Sequence, residues 1–244
     1  MDWVKKFYSQ TGKWWGPAES KITERDFERA KKIKRLAPDT KSILELGSGY
    51  GNTAAACARA GFDVTAVEIS DRINFAKQFT DKKYSGSLKF IKADFYEVKF
   101  GNKFDVVTYW NGFGIGTDDD QKRLLTKIAS EWLKPNGLIL MDVQNPAKWC
   151  EWAKEPVVNK KANPAKGYNF NVSEKIEFDE AMQFMTDTWW ETDNPTEKFT
   201  QKIRCYSPAD FKKLLSGTGL KLDLIEPIGD ELRKVNEYLV KLTK

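Results

Sequence analysis

Three glycines in five residues, Gly47, Gly49 and Gly51, follow the run Ile43-Leu44-Glu45-Leu46 and lead into Asn52. Glycines at that spacing permit a tight turn with positive φ and let a ligand approach the backbone closely. A nicotinamide-dinucleotide fingerprint, Gly-x-Gly-x-x-Gly, would need a glycine where Asn52 stands. The acid ahead of the loop, Glu45, would repel a pyrophosphate and attract an ammonium or a sulfonium. Glu68 lies 21 residues beyond Gly47, at the end of the next β-rich run. The chain has no histidine. That removes a Ser-His-Asp triad, a Cys-His dyad, a His-containing zinc site and an imidazole base. Tyr8, Asp142 and Glu151 remain as candidate proton acceptors. Cys57, Cys150 and Cys205 are far apart with no Cys-x-x-Cys, so neither a metal cluster nor a disulfide framework is expected.

The elements that would position these residues follow from apolar periodicity. Short β-rich runs at 42–46, 63–68, 88–92, 104–110 and 138–143 alternate with helix-like stretches at 52–60, 71–80 and 120–133. In the last of these, Leu124, Leu125, Ile128, Ala129 and Trp132 share one face. Strand and helix in alternation predict a doubly wound α/β fold with a mostly parallel sheet. Thr23 and Asp26 predict a capped helix with Phe27, Ala30 and Ile33 on one face, ending before Pro38. Between Gln144 and Tyr206 the rhythm changes to two-residue alternation: Tyr168, Phe170 and Val172, then Met182, Phe184, Thr186 and Thr188, then Phe199, Gln201 and Ile203. Turn residues at 179–180 and 193–195 separate these runs, predicting a three-stranded antiparallel insertion. A helix opened by Ser207-Pro208, a strand at 220–226 and a last strand near 237–243 complete the pattern.

With 244 residues, 41% apolar, and 40 Lys plus Arg against 35 Asp plus Glu, one α/β domain carrying an insertion is expected. No apolar run reaches about 18 residues and the first residues lack an apolar signal core, so a cytoplasmic protein without a membrane partner is expected. The net charge of +5 is too small to demand a nucleic-acid partner.

The spacing Glu-x-Gly-x-Gly-x-Gly over 45–51 resembles the first motif of class I, Rossmann-like, S-adenosylmethionine-dependent methyltransferases. The resemblance extends to Glu68, to Ala93-Asp94-Phe95 after the third strand, to Phe104–Asn111, to Leu133–Leu138, and to Tyr206–Phe211 with Gly217–Leu220, covering about 40–143 and 206–244. It implies a seven-stranded sheet of order 3-2-1-4-5-7-6 with the last strand antiparallel. It also implies S-adenosylmethionine as cofactor, S-adenosylhomocysteine as product, and no metal. The cofactor residues it implies are Glu45, Gly47, Gly49, Gly51, Glu68, Ile69, Asp94, Phe95, Trp110 and Asn111, with Glu68 as the acid that holds the ribose hydroxyls. Amino-methyltransferases of DNA carry Asn- or Asp-Pro-Pro-aromatic after the fourth strand. Here that place holds Asn111-Gly112-Phe113-Gly114, which argues against a base as substrate.

Methyl transfer from a sulfonium is an in-line displacement, for which holding the nucleophile ~3–3.5 Å from the carbon supplies much of the acceleration. The missing histidine is therefore tolerable and favours an amine or another intrinsically nucleophilic atom. The expected layout is a cover over 1–40, a cofactor domain over 41–143 and 206–244, and a substrate cap over 144–205. Trp14, Trp15, Phe113 and Asn145 are the expected substrate contacts, with Trp189 and Trp190 as further aromatic walls. Tyr8, Asn111 and Asp142 are the expected catalytic group. A small molecule is the expected acceptor; tRNA or protein as acceptor, or a SAM-binding protein without catalysis, are the alternatives. Oligomeric state is not legible.

Overall fold

The computed structural model describes residues 2–80, 82–228 and 237–244; Met1, the first residue of the expected cover, lies outside them. The chain opens with α1 (Asp2–Glu19) and α2 (Glu24–Leu36), then alternates β1 (Ser42–Leu46), α3 (Asn52–Arg59), β2 (Asp63–Glu68), α4 (Ile73–Ala76), β3 (Ser87–Lys92), β4 (Phe104–Tyr109), α5 (Asp118–Lys127) and β5 (Leu133–Gln144). The insertion contributes α6 (Pro146–Trp152), β6 (Val158–Lys160), β7 (Val172–Asp179), β8 (Phe184–Glu191) and β9 (Phe199–Arg204). Then α7 (Pro208–Leu214), β10 (Lys221–Pro227) and β11 (Glu237–Thr243) close the domain.

Among the described residues the main sheet has the order β10-β11-β5-β4-β1-β2-β3. Counting β10 and β11 as sixth and seventh, this is the expected 3-2-1-4-5-7-6. β11 runs antiparallel to both β5 and β10, and the other pairings are parallel. β1 is central and almost wholly buried, as a parallel strand covered by helices on both faces should be. The chain leaves β1 towards β2 and β3, then returns to place β4 on the other side of β1. The C-terminal ends of β1 and β4 therefore flank a topological switch point, where α/β sheets bind ligands.

Local chemistry moves several boundaries. The expected helix at 120–133 starts earlier, because Thr117 Oγ1 accepts from the Asp120 N–H at 3.2 Å and three aspartates fill the first turn. It ends in a wider π-type turn, Ile128–Trp132, that still buries Ile128, Ala129 and Trp132. The helix expected at 71–80 shortens to α4 and a 3-10 turn, Lys77–Phe79. The insertion holds four antiparallel strands, not three. All three residues of β6 are exposed, and it carries no alternation to betray it. Tyr168 and Phe170 precede β7, since Gly167 turns the chain at φ +88°.

The expected cover over 1–40 is two different things. α2 belongs to the helical layer, where Ala30 and Ile33 pack with Ala54, Cys57 and Ala58 of α3. α1 is a continuous helix lying on the insertion, with Phe7 and Trp14 buried against Val172, Trp189 and Phe199. Two glycines let α1 come close to the domain: a Cβ at Gly16 would stand 2.1 Å from the Phe75 ring, and one at Gly12 would stand 2.7 Å from Arg72 Cγ.

Candidate active site

The loop between β1 and α3 places all three glycines at positive φ: Gly47 at +59°, Gly49 at +56° and Gly51 at +79°. They do different work. A Cβ at Gly51 would collide with the Phe90 ring at 2.6 Å and Ala76 Cβ at 2.9 Å, so this glycine lets the helical layer close. A Cβ at Gly49 meets nothing within 4 Å; that backbone faces a cavity. Glu68, at the end of β2, accepts from Gly49 N–H and Ser70 N–H, both at 2.8 Å, and so ties the loop to the neighbouring strand.

The cavity, about 300 Å³, is walled by the glycine loop, Glu45, Glu68, Ile69, Phe95, Tyr109, Trp110 and Asn111, and is covered by Val4 and Tyr8 of α1. A smaller apolar recess of about 50 Å³ opens beyond Ile69 and Phe95 and holds Asp94 and Tyr96. Asp94 Oδ1 accepts from Tyr96 N–H at 2.9 Å. Glu45 is buried, and burial pushes its carboxyl up to about 8 despite the nearby Arg29 guanidinium. Arg29 is committed elsewhere: it donates to Asp142 Oδ2 at 2.8 Å and to Thr53 Oγ1 at 3.3 Å. Two buried acids on the wall suit a ligand that brings positive charge and hydroxyls, not a pyrophosphate. S-adenosylmethionine is such a ligand, and among the described residues no group of acids and cysteines could hold a metal.

A second cavity of about 300 Å³ adjoins the first, and Tyr8, Arg25, Arg72 and Asn111 line both. Its walls are Phe7, Thr11 and Trp15 of α1, Gln144 at the end of β5, Trp149 of α6, and Met185, Asp187, Trp189, Gln201 and Ile203 of the insertion, with Glu237. Asn111, at φ +57°, sits at the junction and accepts from Arg25 at 2.9 Å. Arg25 also pairs with Glu237.

The methyltransferase-domain family matches residues 23–225. The chain belongs to that family. Among curated relatives, the cypemycin N-terminal methyltransferase of a Streptomyces species is 30% identical over 112 residues, covering 46% of this chain and 45% of the relative. The chain thus spans about half the length of the curated relatives it matches. Among solved structures, the CcbJ methyltransferase of Streptomyces caelestis superposes with a TM-score of 0.74 at 17% identity, covering 91% of this chain and 90% of that one. SAM-bound CalS10 of Micromonospora echinaspora, an amino pentose methyltransferase, gives 0.62 at 15% identity, covering 90% of this chain and 90% of that one. These superpositions establish the class I methyltransferase fold.

Within this methyltransferase fold most of the expected cofactor residues share the first cavity or its recess: Glu45, Gly47, Gly49, Glu68, Ile69, Asp94, Phe95, Trp110 and Asn111. Gly51 supports them from behind. The expected substrate and catalytic residues divide. Tyr8, Trp15 and Trp189 line the second cavity. Trp14 does not: it is fully buried between α1 and the insertion, its Nε1 donating to Glu191 at 2.8 Å. Phe113 packs in the main core against Tyr206 and Phe211. Asn145 is the N-cap of α6, accepting from Ala147 N–H at 3.2 Å. Trp190 and Glu151 also stand outside the wall. Asp142 is buried in its ion pair with Arg29 and reaches neither cavity. The Tyr8 hydroxyl is held as a donor to Gln201 Oε1 at 2.9 Å, and burial pushes its pKa well up and keeps it protonated.

Sequence reading missed Asp187. It grouped Phe184, Thr186 and Thr188 as one face of a strand, whereas β8 buries the alternate set Met185, Asp187 and Trp189. A one-residue slip exchanges the two faces completely. The missed signal was an acid between two large apolar residues at period two. Arg25 and Arg72 had no signal, because nothing in sequence brings α2 and α4 to the junction.

Proposed function

We propose that this chain transfers a methyl group from S-adenosylmethionine to an intrinsically nucleophilic atom of a small molecule, most naturally an amine. The observation that carries the reading is the second cavity: roughly 300 Å³, aromatic, sharing Tyr8, Arg25, Arg72 and Asn111 with the glycine-loop cavity. On this reading Glu45 faces the methionine ammonium, Glu68 holds the ribose hydroxyls beside the backbone N–H groups it already accepts from, and the recess at Asp94 and Phe95 takes the adenine. The bound cofactor supplies an already activated methyl group. The chain's own task is to place the acceptor and exclude water. α1 and the insertion do this: Trp15 and Trp189, both on the cavity wall, meet edge-to-face with ring centroids 5.5 Å apart, and their faces attract a partly cationic acceptor.

That closure also argues against polymers. A nucleic acid would need an open basic approach, and here α1 covers the glycine loop while the insertion stands against it. One curated relative is named an N-terminal methyltransferase and one structural neighbour an amino pentose methyltransferase, which is compatible with the reading. Incubation with tritiated S-adenosylmethionine and, separately, a metabolite extract and total tRNA tests it. Label is expected in small molecules; label entering only the tRNA would overturn the small-molecule reading.

A further inference from the structure

The second cavity contains one acid whose hydrogen bonds are incomplete. Asp187, 4% exposed, lines it from β8. Its Oδ2 accepts from Trp189 Nε1 at 2.7 Å and from Gln201 Nε2 at 2.8 Å. Gln201 is itself fixed by the Tyr8 hydroxyl donating to its Oε1. The other oxygen, Oδ1, is buried and has no hydrogen-bond partner. A buried acceptor left without a donor costs free energy, whereas a ligand bringing a donor would recover it.

The cations around the cavity are already engaged. Arg25 pairs with Glu237, Arg72 donates to Tyr8 O at 3.1 Å and Thr11 Oγ1 at 2.6 Å, and Lys160 of β6 pairs with Glu174 of β7 at 3.1 Å while stacking over Trp189 at 4.2 Å. Among the described residues, Asp187 therefore keeps a negative charge that no side chain neutralises by direct contact, in a cavity faced by Trp15, Trp149 and Trp189. Carboxylate and aromatic faces together favour an organic cation.

We propose that Asp187 receives the acceptor's ammonium group and takes its proton, which makes a protonated amine the substrate class of this cavity. The inference rests on the methyltransferase reading above. Proton transfer breaks one N–H bond and forms an O–H bond at Oδ1. The N–H electron pair stays on nitrogen as the lone pair that forms the new N–C bond, while the C–S pair goes to sulfur. Release of the proton to solvent after product leaves restores the carboxylate. Burial pushes Asp187 up to about 6, with Glu174 raising it further and the Trp189 and Gln201 donors and Lys160 opposing. It is thus ionised at neutral pH yet a usable proton acceptor.

The test titrates the protein, saturated with S-adenosylhomocysteine, with benzylamine, ethanolamine and glucosamine and with their hydroxyl counterparts benzyl alcohol, ethylene glycol and glucose. At pH 7 at least one amine is expected to bind more than tenfold tighter than its counterpart. Its affinity should fall about tenfold between pH 7 and 5, as a carboxylate of pKa about 6 is protonated. Asp187→Asn should abolish both the preference and the pH dependence while leaving S-adenosylhomocysteine affinity unchanged, with Asp187→Ser as a second neutral variant should the first not fold. Equal binding of every amine and its counterpart overturns the proposal, as does a preference that survives in the neutral variants. If the wild-type protein fails to bind S-adenosylhomocysteine at all, the methyltransferase reading falls, and the proposal with it.

Discussion

With Glu45 facing the methionine ammonium as proposed, cofactor affinity is tied to pH. In the free protein its carboxyl lies at about 8, so at pH 7 roughly 90% of molecules carry it protonated. The cause is burial at the end of β1, with Arg29 already engaged by Asp142 and with Asp26 and Glu68 nearby raising the value further. A ligand whose ammonium requires the ionised carboxylate must expel that proton, so binding at pH 7 releases about 0.9 proton. The sign follows from a raised acid: the free site binds more protons than the complex, and affinity rises with pH until the free-state pKa is reached. Between pH 6 and pH 8 the ionised fraction grows from about 1% to about 50%, so affinity for S-adenosylhomocysteine should rise about 50-fold, or ~2.3 kcal/mol. Titration calorimetry in two buffers of different ionisation enthalpy reads the released proton directly, and the pH series reads the affinity. Glu45→Gln should flatten the series and remove the buffer dependence. A wild-type protein that binds with no proton release and with constant affinity from pH 6 to 8 would show that Glu45 is not coupled to the ligand, and the reasoning would fail.

Gly49→Val should abolish S-adenosylhomocysteine binding, because the new side chain enters open cavity and a β-branched residue strains the loop at φ +56°; unchanged affinity by calorimetry would remove the loop from the site. Glu68→Ala should weaken binding by about 1–3 kcal/mol, since it removes the proposed ribose acid and frees the Gly49 and Ser70 N–H groups from their anchor; a loss below twofold would contradict the assignment. Gly16→Leu should undock α1, because even a Cβ there meets three Phe75 ring atoms at 2.1–2.6 Å. Faster proteolysis within α1 and weaker S-adenosylhomocysteine binding are expected, with the far-ultraviolet spectrum little changed; a protease-resistant variant with wild-type affinity would show that α1 does not close the cavities.

The sheet was legible in the sequence because each of its determinants is local. Apolar runs such as Ser42–Leu46 are buried on both faces and read as strands without any partner being known, and the amphipathic stripe Leu124–Trp132 reads as a helix in the same way. That the expected cofactor residues would line one cavity was legible for a related reason: the glycine loop and Glu68 sit on neighbouring strand ends, and parallel βαβ connections bring such ends together regularly. The acceptor side was decided by long-range packing. Phe113 and Asn145 follow the right strands but face the core and a helix cap, because their neighbours Tyr206, Phe211 and Ala147 claim them. Trp14 and Trp15 are adjacent in sequence, yet the helical turn of α1 sends one into the interface with Phe199 and leaves the other on the cavity wall. Asp187 depended on a single residue of register in β8, which only pairing with β7 and β9 fixes. Short-range pattern thus determined the elements and the glycine loop. Which of the chain's acids and aromatics meet in one cavity was decided by where α1, α6 and the insertion pack.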